Sequence, residues 1–203
     1  MPSRVTVADI KSKFLRPSLT SYFEVEVPTP PGGSVWKDKW NQNKRNDAIN
    51  LLCSEAVLPG SNLATFETNN DRTGVTERFA HRRIFDERID LTFNVDGGMY
   101  SPIKFFEEWI DYITGAATEG ENELENPDYH YRMKYPNDYI AGQGLKITKF
   151  EKDHLNPLTY EFIRSYPLSI TSMPVSYDGS SLLKCSVSMT YVRYIIQNLD
   201  IEG

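Results

Sequence analysis

The chain predicts a mainly β (α+β) subunit: an antiparallel β-sandwich or barrel-like fold with one packed central helix and a short N-terminal helix. Three observations carry this. Residues 85–95 alternate apolar and polar, residues 183–191 do the same, and residues 101–115 place apolar side chains at helical spacing. In the first stretch Phe85, Ile89, Leu91, Phe93 and Val95 share a side, and Asp86, Arg88, Asp90, Thr92 and Asn94 share the other. Only Glu87 interrupts the apolar row. A period of two marks a strand with one dry and one wet face. Asp96-Gly97-Gly98 ends it with residues that tolerate positive φ. In the second stretch Leu183, Cys185, Val187, Met189 and Tyr191 oppose Lys184, Ser186, Ser188 and Thr190. Long strands with a polar face belong to antiparallel sheets that meet water or a partner on one side.

The helix is framed by Ser101 as N-cap, Pro102 at its first position and Gly115 at its end. Ile103, Phe106, Ile110 and Ile113 recur at three and four residues, widened by Phe105, Trp109 and Tyr112. So broad an apolar face must cover a sheet or the end of a barrel. A shorter helix is expected over Val7–Leu15, with Val7, Ile10 and Phe14 on one side. Further strands are expected over Tyr22–Val27, Asn50–Val57, Leu63–Thr68, Gly144–Glu151 and Leu158–Ser165. Residues 166–176 and 181–194 read as a hairpin around Tyr177-Asp178-Gly179-Ser180. Two segments, 28–46 and 116–128, exceed ordinary loop lengths. The first carries Lys37, Lys39, Lys44 and Arg45; the second carries Glu119, Glu121, Glu123, Glu125 and Asp128 without a basic residue. No internal repeat or domain boundary emerges, so residues 1–203 form one domain.

Length and composition set the limits. A chain of 203 residues and 23.3 kDa withdraws roughly 70% of its unfolded surface from water and needs no metal or disulfide staple. Twenty-two basic against 28 acidic residues give a net charge of −6 and a pI near 5.2. That balance excludes a protein built chiefly to grip nucleic acid, which neutralises phosphates with surplus Lys and Arg. With 39% hydrophobic and 12% aromatic residues the chain is not disordered. No apolar run approaches the ~20 residues of a membrane span. Met1-Pro2-Ser3-Arg4 does not read as a signal peptide, so a soluble, cytosol-made protein is expected.

No reaction chemistry converges in the sequence. His81, His130 and His154 are scattered without metal-ligand spacing, and Cys53 and Cys185 fall in strands as small hydrophobes. Neither cysteine has the basic or helix-start neighbours that activate a thiol. Glu107–Glu108 and Asp86–Glu87 are adjacent pairs whose side chains point apart. Gly142-Gln143-Gly144 precedes a strand rather than a helix, and no G-x-S-x-G occurs. The expectation is a non-enzyme with no catalytic residue, cofactor or metal. The cluster His81-Arg82-Arg83, preceded by Arg72 and Arg78, is interleaved with Glu77, Asp86, Glu87 and Asp90. Mixed signs suit contact with a neighbouring protein surface better than a polyanion track.

Taken in order, several segments resemble one family. They are Arg16-Pro17-Ser18-Leu19 followed by Tyr22–Val27, Leu52–Gly60 with its Leu-Pro-Gly turn, and Arg83–Phe93. The helix Phe105–Gly115 with Phe106 and Trp109, Tyr166-Pro167, Asp178-Gly179 and a last strand ending at Tyr191–Tyr194 complete the set. Across residues 16–194 the chain resembles the tail tube proteins of contractile-tailed bacteriophages, departing from them in the long 28–46 segment. The resemblance implies a structural virion protein of the phage tail, assembled in the host cytoplasm, whose subunits form six-membered rings. The sheets of those subunits join around a lumen, and the rings stack inside a contractile sheath. Its implied partners are further copies of itself, the tail sheath protein, and baseplate and tail terminator proteins. Genomic DNA passes without specific binding, and no membrane is involved.

On this reading Asp86, Asp90, Thr92 and Asn94 line the lumen, where an acidic or polar wall repels phosphates. Residues 60–84 reach the adjacent ring. Arg72, Arg78, Arg82, Arg83, Lys37, Lys39, Glu121 and Glu123 make contacts between subunits or rings. The basic 36–45 and acidic 119–128 loops fit either complementary ring faces or the sheath. Two alternatives stand beside this: a baseplate tube-initiator or tube protein of a phage-derived injection device, and a small β-barrel ligand-binding module or enzyme.

Overall fold

A computed structural model of the chain describes residues 17–31, 45–70, 72, 74–115, 133–153, 156–179 and 181–197. The helix expected over Val7–Leu15, the 116–128 loop, most of the 28–46 segment, and Lys37, Lys39, Glu121 and Glu123 lie outside these residues. The elements run β1 (Phe23–Glu26), α1 (Arg45–Leu52), β2 (Cys53–Ala56), β3 (Asn62–Asn70), β4 (Val75–Ile84) and β5 (Arg88–Asn94). After them come α2 (Ser101–Thr114), α3 (Pro136–Tyr139), β6 (Leu145–Lys149), β7 (Leu158–Ile163), β8 (Tyr166–Ile170), β9 (Lys184–Thr190) and β10 (Arg193–Gln197). One sheet has the order β1-β6-β7-β10, a second β2-β5-β9-β8, and among the described residues β3 pairs only with β4. Every pairing is antiparallel.

The two four-stranded sheets enclose the core. The first contributes Val25, Leu145, Ile147, Phe162 and Tyr194, and the second Ile89, Leu91, Phe93, Cys185, Val187 and Met189. Helix α2 closes one side with Phe105, Phe106 and Trp109, all fully buried, and lies against β8 and β9. Phe106 meets Phe93 with ring centroids 5.3 Å apart, and Phe105 sits edge-on to Trp109. Each such side chain contributes about 1.5–3 kcal/mol by leaving water. The Trp109 indole N–H, which burial would otherwise strand, donates to the Tyr139 carbonyl at 3.1 Å.

The structure corrects three local expectations. Residues 50–57 are not one strand: α1 runs to Leu52 and turns directly into β2. The short run Ile49-Asn50-Leu51-Leu52 satisfies either period. Tertiary contacts decide for the helix, which buries Ile49 and points Asn50 Oδ1 at the Val27 N–H, 2.9 Å away. The strand expected over 181–194 breaks at Tyr191-Val192. β9 ends in the second sheet, Val192 N–H donates to Ile163 O at 3.1 Å, and β10 continues in the first sheet. Its hairpin partner β8 is correspondingly short, Tyr166–Ile170. Finally, neither Gly97 nor Gly98 takes positive φ; Tyr100 does, at 55°.

Tyr100, not Ser101, therefore occupies the cap position of α2, and its side chain makes no capping hydrogen bond. The cap is supplied from four residues upstream. Asp96 accepts from the Ser101 N–H at 2.6 Å, the Met99 N–H at 3.0 Å and the Ser101 hydroxyl at 3.3 Å. Desolvation pulls the Asp96 carboxyl upward, but these donors outweigh it and hold the group below its ordinary 3.8. At the other end Gly115, with φ 74°, accommodates the left-handed turn the sequence led one to expect.

Two predictions follow from this packing. Asp96→Ala removes the cap and costs about 1 kcal/mol at neutral pH. Because the folded carboxyl titrates below the unfolded one, its contribution is complete above about pH 4 and is lost as pH falls through the lower folded value. Denaturant melts at descending pH should show the gap between wild type and variant closing in acid. Gly144 sits where a Cβ would lie 2.2 Å from the Phe162 carbonyl oxygen. Gly144→Ala should cost about 1–3 kcal/mol, read as a loss of about 2–4 °C in Tm for each kcal/mol.

Candidate assembly interface

The second sheet presents one face to the core and a hydroxyl-rich face away from it. Register sets Asp90 opposite Ser188 and Thr92 opposite Ser186, with Arg88–Thr190 and Asn94–Lys184 at the two ends. Ser188 donates to Asp90, the Thr92 and Ser186 hydroxyls lie 3.2 Å apart, and Thr190 donates to the Glu87 carbonyl at 2.9 Å. Ser54 of β2 extends the network by donating to the Thr92 carbonyl at 3.1 Å. Asp90 and Thr92 thus share one polar surface with the serines of β9. Asn94 ends that row half-buried, its Oδ1 shielded and without a partner among the described residues. Asp86 stands before β5 begins, exposed, accepting from the Gly60 N–H at 3.2 Å.

The β3–β4 hairpin projects from this body. Phe66 pairs with Phe79, their rings stacked with centroids 5.5 Å apart, and both are about half exposed. The pairings Asn70↔Val75, Ala64↔Arg82 and Asn62↔Ile84 put Val75, Arg82 and Ile84 on that same face. Arg78 lies on the opposite face and pairs with Glu67 at 2.6 Å, while Arg72 sits in the tip turn. A two-stranded ribbon with an uncovered aromatic face is marginal in water without something to lie against.

Arg83 is placed differently from the other arginines. Its Nε donates to Ser61 Oγ at 3.1 Å and its Nη2 to Tyr194 Oη at 3.0 Å. The guanidinium carbon lies 4.7 Å from the Phe85 ring centroid and 5.2 Å from that of Tyr194. The Tyr194 hydroxyl in turn donates to the Gly60 carbonyl at 3.1 Å. Beside this foot lies an open groove of about 830 Å³ whose lining includes Val57, Leu58, Leu168, Asp86, Glu87 and Asp90. Tyr194 was not singled out in the sequence; its signal was only a place at the end of the last alternating stretch.

Among the described residues both sheets also leave edges open: β1 and β10 in the first, β2 and β8 in the second. Unpaired edges of this kind invite further strands. Comparison with known proteins is decisive for a subunit with two half-clad sheets and a projecting ribbon. Residues 18–197 match the family described as phage tail tube protein. The chain belongs to that family. As a member of that family it is a structural, non-catalytic subunit of a phage-type tube or baseplate assembly.

Solved structures share the fold at low identity. A chain of the anti-feeding prophage baseplate aligns over 92% of this protein and 99% of its own length, with 10% identity and a TM-score of 0.55. The tube-terminating cap of the same particle aligns over 90% and 92%, with 16% identity and a TM-score of 0.53. A chain from the sheath–tube complex of an extracellular contractile injection system aligns over 96% and 99%, with 13% identity and a TM-score of 0.52. Comparison with curated protein sequences finds no match.

The tail tube protein's thiols fit a structural part. Burial pushes Cys53 up to about 12, and burial with a contribution from Glu107 pushes Cys185 up to about 11. Among the described residues no group of His, Cys, Asp and Glu is arranged to hold a metal, and no helix is long and apolar enough to cross a membrane. Since the thiolate is the reactive form, both cysteines should resist iodoacetamide at pH 8 in the native protein. Alkylation followed by mass spectrometry should show labelling accelerate only as pH approaches the raised values.

Proposed function

We propose that this protein is the repeating tube subunit of a contractile injection apparatus of phage ancestry, either a phage tail or a phage-derived device. Six copies close a ring by joining the free edges of their second sheets, and the rings stack head to tail. The β3–β4 hairpin reaches the adjacent ring. The observation that carries this reading is the hairpin itself: Phe66, Phe79, Val75 and Ile84 stand exposed on one face of a ribbon that has no core of its own. Burying that face and the sheet edges on neighbouring copies removes both liabilities together. Head-to-tail contacts propagate without closing, which a tube requires.

The hydroxyl-rich face of Asp90, Thr92, Ser186 and Ser188 then lines the lumen. In a phage tail, DNA slides along it without specific binding. Arg72, Arg78 and Arg82 belong to the hairpin's contacts with neighbours. The basic loop with Lys37 and Lys39 and the acidic loop with Glu121 and Glu123 serve the ring faces or a sheath, and baseplate and terminator proteins bound the tube at its ends. The likeness to a baseplate chain at full length supports a second reading, a tube-initiating ring at the baseplate; copy number in purified particles separates one ring from many.

Replacing residues 64–82 with an Asn-Gly turn keeps the foot of the hairpin and suits a two-residue connection. The shortened protein should give the circular dichroism spectrum and melting profile of a folded subunit. In negative-stain micrographs it should form no tubes. Tubes of ordinary length would remove the hairpin from ring stacking.

A further inference from the structure

We infer that Arg83 is a positioning residue for tube assembly: it touches no neighbour, and instead fixes the direction in which the β3–β4 hairpin leaves the subunit. The sequence placed Arg83 among residues that contact other subunits. Its surroundings point inward. Its Nε and Nη2 donate within the chain, to Ser61 and Tyr194, and its guanidinium lies against the rings of Phe85 and Tyr194. Phe85 and Tyr194 meet edge-on, with centroids 5.3 Å apart, so the three side chains form one mutually touching cluster.

The connectivity makes this cluster a tie. Ser61 and Gly60 immediately precede β3, and Arg83 lies in the last turn of the ladder at the foot of β4, opposite Leu63. Both feet of the ribbon therefore converge on Tyr194: Arg83 donates to its hydroxyl, and that hydroxyl donates to Gly60. Tyr194 is itself buried in β10 of the first sheet, against Phe162 and Tyr160. Among the described residues the hairpin pairs with neither large sheet, so this cluster is what ties it to the core.

Leverage makes the tie matter. A ladder of nine and ten residues extends about 30 Å, and a swing of about 10° at its foot moves the tip about 5 Å, the distance between adjacent strands. An untied hairpin would sample several such positions and lose entropy on docking, which weakens assembly without removing a single contact with the neighbour. Lysine does not replace the fork: it carries the charge but neither the paired donors nor the flat face.

The inference rests on the hairpin reading above, and the test separates the two. Spin labels on Thr68→Cys and Lys152→Cys, with Cys53 and Cys185 replaced by alanine, report the tip-to-body distance in the isolated subunit. Arg83→Lys, Arg83→Ala and Tyr194→Phe should each broaden that distribution. The critical concentration for tube formation should rise about tenfold in the two Arg83 variants through lost preorganisation, and less in Tyr194→Phe, with core melting preserved. An unchanged distribution with normal assembly overturns the inference. An unchanged distribution with lost assembly also overturns it, making Arg83 a contact residue. A broadened distribution with normal assembly overturns it as well, because direction then has no consequence. Tubes from the Asn-Gly variant would instead sink the hairpin reading beneath it.

Discussion

Antiparallel strands have two faces, and a subunit of this size covers only one of them. The β5–β9 pairing settles which. Leu91 opposite Val187 and Phe93 opposite Cys185 point under α2, so Asp90, Thr92, Ser186 and Ser188 are committed to the other side. A slip of one residue would exchange the two sets and bury carboxylate and hydroxyls beneath the phenyl rings of the helix, so the register is fixed by burial rather than by backbone hydrogen bonding. Helix α2 enforces it from above, and Asp96 enforces α2 by holding its first turn. The wet face is thus the necessary counterpart of the core.

The hairpin obeys a different constraint. Among the described residues nothing layers over strands β3 and β4, so their order comes from cross-strand pairs such as Phe66–Phe79 and Arg78–Glu67. Such pairs are worth only about 0.2–1 kcal/mol each. What connects this weakly held ribbon to the strongly held body is the cluster of Arg83, Phe85 and Tyr194. It spans both kinds of structure, since Tyr194 lies in the core and its hydroxyl faces the foot of the ribbon. Division of labour follows among arginines that look alike in sequence: Arg83 is bonded at the foot, and Arg82, two residues from Ile84, remains on the exposed face.

Much of this was legible from the residues because period-two burial leaves an unambiguous trace. The strand over 85–95, the helix over 101–115 and the polar row of β9 were all legible from spacing, although β5 itself is shorter, Arg88–Asn94, because Phe85 leaves the ladder to pack against Tyr194; the family resemblance through Leu52–Gly60, Arg83–Phe93 and Phe106-x-x-Trp109 pointed to the architecture. The failures share a cause. Ile49–Leu52 has too few residues to distinguish a helical from an extended period, and Asn50's bond to Val27 joins segments far apart in the chain. The break at Tyr191-Val192 is invisible because both residues are ordinary strand formers; only the change of sheet separates β9 from β10. Ser101 looked like a cap, but the carboxylate that caps α2 comes from before the turn. Arg83 was read with its neighbours as a surface charge because nothing local announces that Tyr194, 111 residues away, will meet it.

The chemistry of the wet face adds a last step. Its polar groups are largely turned toward one another: Ser188 to Asp90, Thr92 to Ser186, Thr190 to the Glu87 carbonyl, Ser54 to the Thr92 carbonyl. A hydroxyl already donating within the sheet offers a passing molecule an acceptor rather than a fresh donor. Cations stand only at the ends of the β5–β9 rows, as Arg88 and Lys184, where they do not form a continuous track for phosphates. A surface with few unspent donors, a carboxylate near its middle and no basic stripe remains well hydrated yet gives a polyanion little to hold. Low grip of this kind arises from internal satisfaction of hydrogen bonds as much as from net charge. It is therefore a property of register, set by the same side chains that decide which face of the sheet is dry.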